Sequence, residues 1–315
     1  MKSKRRILLF ISLIVAGILL FNTVGFFCVS AIVYESVFDY RYTTNADDFF
    51  EVSDFPALTR ERHTFTSNKG QMLVGYLYED DRYTLPKKGV VVFAHGLGGG
   101  GQTGYMDVFY YLTSKGYYVF AYDATANDES EGNAVGGLPQ GYIDLDYAID
   151  YAYTIEEIKG MPIVLMGYSW GGMSVLNVLN YHPEVAAVAS LSGWNDPFDL
   201  IEYEGIKMMG EPAKTFLPFV WLYESFKYGH YSQSSAMKGL ANSTCPVMIV
   251  HGAEDEIVPI EYGYDAYYES YGENSRFTFK KYEDRGHEIF GDNGSLDIAL
   301  IIEITNFFDE SLAIG

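Results

Sequence analysis

One serine in this chain stands where a hydroxyl can be turned into a nucleophile. Gly167-Tyr168-Ser169-Trp170-Gly171 directly follows an apolar run at 162–166 and opens an apolar helical pattern over 170–181. A chain that passes from strand to helix in so few residues forces the serine into a strained conformation. Glycines at 167, 171 and 172 remove the Cβ atoms that would clash there. The hydroxyl is then held out at the positive end of the helix. A serine that merely caps a helix would not require that glycine spacing.

A serine hydroxyl is a poor nucleophile until a base takes its proton and a carboxylate orients that base. Six histidines are candidates: His63, His95, His182, His230, His251 and His287. His287 alone follows the last strand pattern in a loop, Asp284-Arg285-Gly286-His287-Glu288. From there a ring can reach the sheet edge at which Ser169 emerges. For the acid, Asp255 stands just beyond a strand at 246–250, in His251-Gly252-Ala253-Glu254-Asp255-Glu256-Ile257-Val258-Pro259. Glu254 and Glu256 flank it, and position alone leaves them open. Acyl transfer also creates an oxyanion that needs backbone N–H donors. The loop His95-Gly96-Leu97-Gly98-Gly99-Gly100-Gly101 offers the N–H of Leu97, to be paired with that of Trp170, the residue after the serine. His95 reads as a structural tie for this loop. The glycines match neither a dinucleotide fingerprint nor a Walker loop, so no nucleotide is expected.

These residues must be carried by an alternation of strands and helices. Residues 64–67 and 72–78 read as a hairpin around Asn68-Lys69-Gly70, and 89–94 as a strand buried on both faces. Helical spacing at 105–114, 142–158, 170–181, 262–271 and 296–312 alternates with strand patterns at 117–122, 162–166, 185–191, 246–250 and 276–282. This order predicts an α/β fold with a mostly parallel central sheet and helices on both faces. The core would comprise 61–195 and 245–315, interrupted by a helical cap insertion at 196–244. The aromatics Trp194, Phe198, Phe216, Phe219, Trp221, Tyr223, Phe226, Tyr228 and Tyr231 would line an acyl pocket or pack the cap onto the sheet. Asp123, Asp128, Glu129 and Glu131 lack the spacing of an EF-hand loop and read as a solvated acidic loop. No metal site is expected.

Lys2, Lys4, Arg5 and Arg6, in a basic segment 1–6, precede an apolar stretch at 7–33. As a helix it is long enough to cross ~30 Å of hydrocarbon. The flanking positive charge places the remainder outside the cytoplasm, on a single-pass signal-anchor in the cell membrane. A cleaved signal peptide, with Val29-Ser30-Ala31 as its small-residue site, is the alternative. The apolar run exceeds the usual h-region of ~7–15 residues. A polar linker at 34–60, with Asp47, Asp48, Glu51 and Asp54, leads to the core.

The 315 residues carry 42 Asp and Glu against 21 Lys and Arg, a formal charge of −21. Setting the N-terminal segment aside leaves 17 basic residues and −25. A phosphate backbone would be repelled, so nucleic acid is excluded as a partner. Two cysteines, Cys28 and Cys245, cannot build a disulfide framework or a cysteine-based zinc site.

The four elements H-G-L-G-G-G, G-Y-S-W-G-G, H-G-A-E-D-E-I-V-P and G-H-E together resemble those of the α/β-hydrolase superfamily. The nearest likeness is to membrane-anchored bacterial members of the serine aminopeptidase and monoacylglycerol-lipase-like branch. The resemblance implies an α/β-hydrolase fold, a Ser169-Asp255-His287 triad with Asp255 preferred over its neighbours, a two-amide oxyanion hole and no cofactor. It departs from many relatives in the loop Ala124 to Gly132, which weakens any transfer of substrate specificity. The expected activity is hydrolysis of small carboxylic esters through an acyl-enzyme. One alternative is a peptidase releasing N-terminal residues, with Glu202, Glu204 or Glu211 holding the substrate ammonium. Another is a surface-binding protein that kept the fold and lost turnover. The sequence does not define an oligomeric state.

Overall fold

The computed structural model describes residues 2–45, 49–98, 100–292 and 295–313. Gly99 of the glycine loop and Asp47 and Asp48 of the linker lie outside the described residues. The chain divides into two compact units, Asp39–Leu200 with Ser234–Gly315, and Met1–Phe38 with Ile201–Gln233.

The larger unit is built on eight strands: β1 (Leu58–Thr66), β2 (Met72–Asp80), β3 (Gly89–Ala94), β4 (Tyr117–Asp123), β5 (Ile163–Tyr168), β6 (Ala187–Leu191), β7 (Val247–Gly252) and β8 (Phe277–Tyr282). Their spatial order is β1-β2-β4-β3-β5-β6-β7-β8. β1 pairs antiparallel with β2, and β2 antiparallel with β4; every later pairing is parallel. Because side chains alternate across a strand, Val91, Phe93, Val119, Ala121, Val164 and Met166 share one face. There they form a core with α2 (Met106–Ser114) and α9 (Ile298–Ala313). α3 (Gln140–Ala152) and α4 (Trp170–Asn177) cover the other face. Short helices α7 (Ala236–Asn242) and α8 (Tyr264–Tyr271) complete the unit, and a small pair, β9 (Gly291–Asp292) and β10 (Ser295–Leu296), precedes α9.

One expectation about this unit is corrected and a second is refined. The stretch read as a polar linker is packed: Phe50, Val52 and Phe55 lie against the core, and Arg41 donates to the carbonyls of Asp128, Ser130 and Gly132. The loop read as solvated and acidic keeps Glu129 and Glu131 exposed, but it is pinned by hydrogen bonds as well. Asp128 accepts from the Thr44 amide and hydroxyl at 2.6 Å, Glu129 pairs with Arg62 at 3.2 Å, and Glu131 accepts from the Met72 amide at 2.9 Å. Each carboxylate has a local donor, which composition alone could not reveal.

The smaller unit joins α1 (Lys2–Phe38) to α6 (Leu217–Tyr228) and to the part of α5 (Pro197–Met209) from Ile201 onward. The stretch read as an anchor packs here on part of the region read as a cap insertion. Phe26 stacks on Phe219 with centroids 5.6 Å apart and meets Phe216 edge-on at 5.4 Å. Phe27 meets Tyr223 and Phe226, each at 6.1 Å. The Tyr34 hydroxyl donates to Glu224 at 2.6 Å, while Glu35 receives both the Tyr223 hydroxyl and the Lys227 ammonium. Four aromatics assigned to a pocket or to sheet packing thus find their ring partners on α1. The helix also runs five residues past the expected end of the apolar stretch.

α4 approaches the sheet closely enough that two positions of its first turn have no room for a side chain. A Cβ on Gly171 would collide with the Ala94 carbonyl of β3, and one on Gly172 would lie 2.5 Å from the Leu191 oxygen of β6. Both obstacles are backbone and cannot rotate away. We expect Gly171→Ala to destabilise the protein by about 2–3 kcal/mol or more, measured as a lowered midpoint in thermal or urea unfolding.

Asp123, fully buried at the end of β4, accepts from the amides of Gln102 at 3.0 Å and Glu129 at 3.3 Å. Burial drives its pKa up to about 7; the two amides oppose this, and the charges of Asp128 and Glu129 add to it. A carboxyl whose folded pKa is raised holds a proton that the unfolded chain has lost. Its contribution to stability therefore falls as pH climbs from about 4 to about 7. Asp123→Asn, which never ionises, loses one accepting oxygen at every pH but removes this slope. The Tm of the variant relative to the parent should rise by roughly 5 °C between pH 4 and pH 8, read by calorimetry.

Candidate active site

The candidate nucleophile Ser169 stands in the β5–α4 turn. Ser169 has φ 55° and ψ −116°, a conformation that costs a non-glycine residue energy. Two backbone bonds hold it there: the Ser169 N–H donates to Leu191 at 2.8 Å, and its carbonyl accepts from Met173 at 2.9 Å. Trp170, the first residue of α4, is fixed by its indole N–H, which donates to the Leu138 carbonyl at 2.8 Å.

Ser169, Asp255 and His287, far apart in sequence, are brought together. His287 Nδ1 lies 2.8 Å from Asp255 Oδ2, and His287 Nε2 lies 2.7 Å from Ser169 Oγ. The ionised carboxylate can only accept, so Nδ1 carries the proton and Nε2 presents its lone pair to the serine O–H. Asp255 is buried while Glu254 and Glu256 are exposed, which separates the three acidic neighbours. Asp255 Oδ1 accepts from the amides of Ile257 at 3.0 Å and Val258 at 2.8 Å. Burial alone would raise its pKa. Hydrogen bonds from His251 and His287, the charge of His287 and the Val258 amide hold it well below the usual carboxylate range.

His251 is the neighbour that the sequence reading passed over as a base candidate. It is the penultimate residue of β7, is fully buried, and its Nε2 lies 3.2 Å from Asp255 Oδ2 and 3.0 Å from the Val258 carbonyl. Facing two acceptors, that nitrogen must carry the proton. The usable signal was the four-residue spacing from His251 to Asp255 across a tight turn.

The histidine loop is held from several sides. The Glu254 amide donates to the Arg285 carbonyl at 2.9 Å, joining the acid loop to the histidine loop. Arg285 itself pairs with Asp297 at 2.7 Å and lies over the Tyr282 ring at 3.7 Å. The His287 carbonyl accepts from the hydroxyls of Tyr168 at 3.2 Å and Ser192 at 3.1 Å. On the glycine-loop side, His95 Nδ1 meets the Gly96 carbonyl at 2.7 Å and its Nε2 accepts from the Ala124 amide at 3.0 Å. Burial lowers the His95 pKa, so the ring stays neutral and ties the loop bearing Leu97.

A cleft of about 800 Å³ opens over these groups, lined by Ser169, His287 and Leu97. Its walls include Phe50, Tyr105, Leu138, Trp194 and Phe290, with Asp107 and Glu288 as its carboxylates and no Lys or Arg among the lining residues. Such a cavity can take an apolar acyl or aryl group beside the serine. Trp194 alone among the insertion-region aromatics named above lines it; Phe216, Phe219, Tyr223 and Phe226 belong to the smaller unit.

Residues 89–212 match the family model described as α/β hydrolase fold. The lysophosphatidylserine lipase ABHD12 of Danio rerio is 23% identical over 181 residues, covering 56% of this chain and 46% of its own length. The chain therefore spans about half the length of that relative. Among solved structures, the Pyrococcus furiosus esterase Pf2001 superposes with TM-score 0.62 at 17% identity, covering 86% of this chain and 96% of its own. The acylaminoacyl peptidase of Pyrococcus horikoshii gives TM-score 0.60 at 17% identity, over 82% of this chain and 42% of its own. Family match, strand order and structural likeness agree: this chain has the α/β-hydrolase fold.

Proposed function

We propose that this protein is a serine hydrolase that cleaves small carboxylic esters through an acyl-enzyme. The observation that carries the reading is the continuous relay from Asp255 through His287 to Ser169, with both hydrogen bonds at 2.7–2.8 Å. His287 Nε2 takes the serine proton as Oγ attacks the ester carbonyl carbon. The tetrahedral oxyanion is received by the N–H groups of Leu97 and Trp170. Collapse expels the alcohol, which takes the proton from His287. Water then attacks the acyl-serine with His287 again as base, returning free Ser169 and a carboxylic acid. Asp255 stays ionised throughout and stabilises the imidazolium. Its depressed pKa suits that role.

The apolar cleft supports acyl or aryl esters, as does the esterase among the structural neighbours. A peptidase reading has its own support in the acylaminoacyl peptidase likeness and in Asp107 and Glu288, which could hold an ammonium group. Glu202, Glu204 and Glu211 lie instead in the smaller unit. We further propose that α1 tethers the protein as a single-pass anchor with the larger unit extracytoplasmic. The helix from Ile7 to Phe38, with mean hydropathy 2.6 over its most apolar window, fits a membrane span or a signal sequence. An anchor keeps residues 7–33 in the mature protein and a signal sequence loses them, which N-terminal sequencing of the mature protein distinguishes.

Ser169→Ala should lower turnover of p-nitrophenyl esters by roughly 10⁴-fold or more and abolish labelling by a fluorophosphonate probe. Full turnover in the variant would refute the assignment. An unlabelled, inactive parent would point to a binding protein. Assaying aminoacyl amides beside esters separates the two substrate classes. His251, which touches Asp255 and not the substrate, is a positioning residue. His251→Ala should cut kcat by roughly 10-fold with little change in KM, and His251→Gln, which keeps a donor, should recover part of the loss.

A further inference from the structure

We propose that α6 is a lipid-docking face, its Trp221, Leu222 and Phe226 side chains seated in the outer boundary of the bilayer that α1 crosses. The proposal rests on the reading of α1 as a membrane span. The first argument is position along that helix. About 20 residues at ~1.5 Å each cover the ~30 Å hydrocarbon core, so a span that starts at Ile7 reaches the far boundary near Phe26. Phe26, Phe27 and Ser30 are the residues that α6 and the turn before it grip. Whatever is bound to α1 at that level shares its depth.

The second argument is what α6 leaves uncovered. Phe226 is 74% exposed, Trp221 49% and Leu222 37%, and Met208 at the end of α5 is 75% exposed. These are large apolar groups, of the type enriched where a membrane meets water. The helix carries no Asp, Glu, Lys or Arg from Leu217 to Tyr223. Its two charged side chains are closed onto α1: Glu224 receives the Tyr34 hydroxyl and Lys227 meets Glu35. The charged groups of α6 are thus satisfied on α1, while Trp221 and Leu222 stay open and Phe226, whose ring edge meets Phe27, keeps most of its surface uncovered.

The third argument is charge. Residues 201–233 carry four Glu and three Lys, near neutrality in a chain whose formal charge is −21. The acidic bulk of the chain is repelled by anionic lipid, whereas a near-neutral patch is not. Docking there is driven by apolar insertion and needs no headgroup charge, so zwitterionic lipid should suffice and salt should matter little.

The test uses the full chain reconstituted in phosphatidylcholine vesicles. Trp170 and Trp194 are 1% and 2% exposed, so Trp221 is the tryptophan a quencher can reach. Lipids brominated high in the acyl chain should quench a part of the emission on the order of a third, one tryptophan of three, and Trp221→Phe should remove that part. Aqueous iodide should have little effect. Alkaline carbonate extraction is run in parallel and reports on α1 alone. A chain kept in the membrane whose Trp221 answers to iodide and not to bromolipid overturns the docking and leaves the anchor standing. Shielding from both quenchers, together with cross-linked dimers lost in Phe226→Ser, would assign the face to a second copy and overturn it equally. Release by carbonate would remove the anchor and the proposal with it.

Discussion

The whole site hangs on the close approach of one helix to the sheet. The α4 backbone is packed against the carbonyls of β3 and β6 with no room for side chains at Gly171 and Gly172. This approach allows the chain to reverse within a single residue, leaving Ser169 at positive φ with its hydroxyl clear of the sheet edge. The strain there, of order 1–3 kcal/mol, is offset by two backbone hydrogen bonds and by the buried indole of Trp170. Everything else is arranged around a hydroxyl held in that fixed place. The loops after β3, β7 and β8 each bring one partner group to the same edge.

The loops differ in how they are held, and the differences follow from their tasks. The acid loop is short and rigid, with Asp255 receiving two amides and two imidazoles. A carboxylate so fully engaged stays ionised and cannot drift. The histidine loop is clamped through its own backbone, by the Tyr168 and Ser192 hydroxyls and by Arg285. Among the described residues, its ring has Asp255 and Ser169 as its side-chain hydrogen-bond partners. The glycine loop is steadied by His95, whose buried, neutral ring makes two backbone hydrogen bonds and meets the Trp170 ring edge-on.

Much of this was legible in the residues. The strand at 89–94 coincides with β3 because an uninterrupted β-branched run has few other uses, and the serine turn is marked by glycines that sterics demand. β1 begins at Leu58, six residues before the expected strand, because an edge strand can carry the charges of Arg60, Glu61 and Arg62 that obscure its alternation. The helical pattern at 142–158 stops at Ala152 and resumes as one turn at Glu156, since periodicity reports a face and not a hydrogen-bond ladder. His251 was missed because its value lies in a through-space contact. The pairing of α1 with α6 was missed for the same reason: an aromatic-rich stretch declares that it will be covered and does not declare by what.

That pairing also fixes an order of events as the chain is made. More than 160 residues separate Phe38 from Ile201, so at ~5–20 residues per second the ribosome needs roughly ten seconds or more between the two. For that interval the aromatic flank of the first helix has no intramolecular cover, and a chaperone, a translocation channel or lipid must supply it. The strand bearing the serine emerges within the wait, whereas Asp255 and His287 emerge only after the missing helix has been synthesised. A nascent chain stalled before that point would present Ser169 without the imidazole and carboxylate that stand beside it in the folded protein.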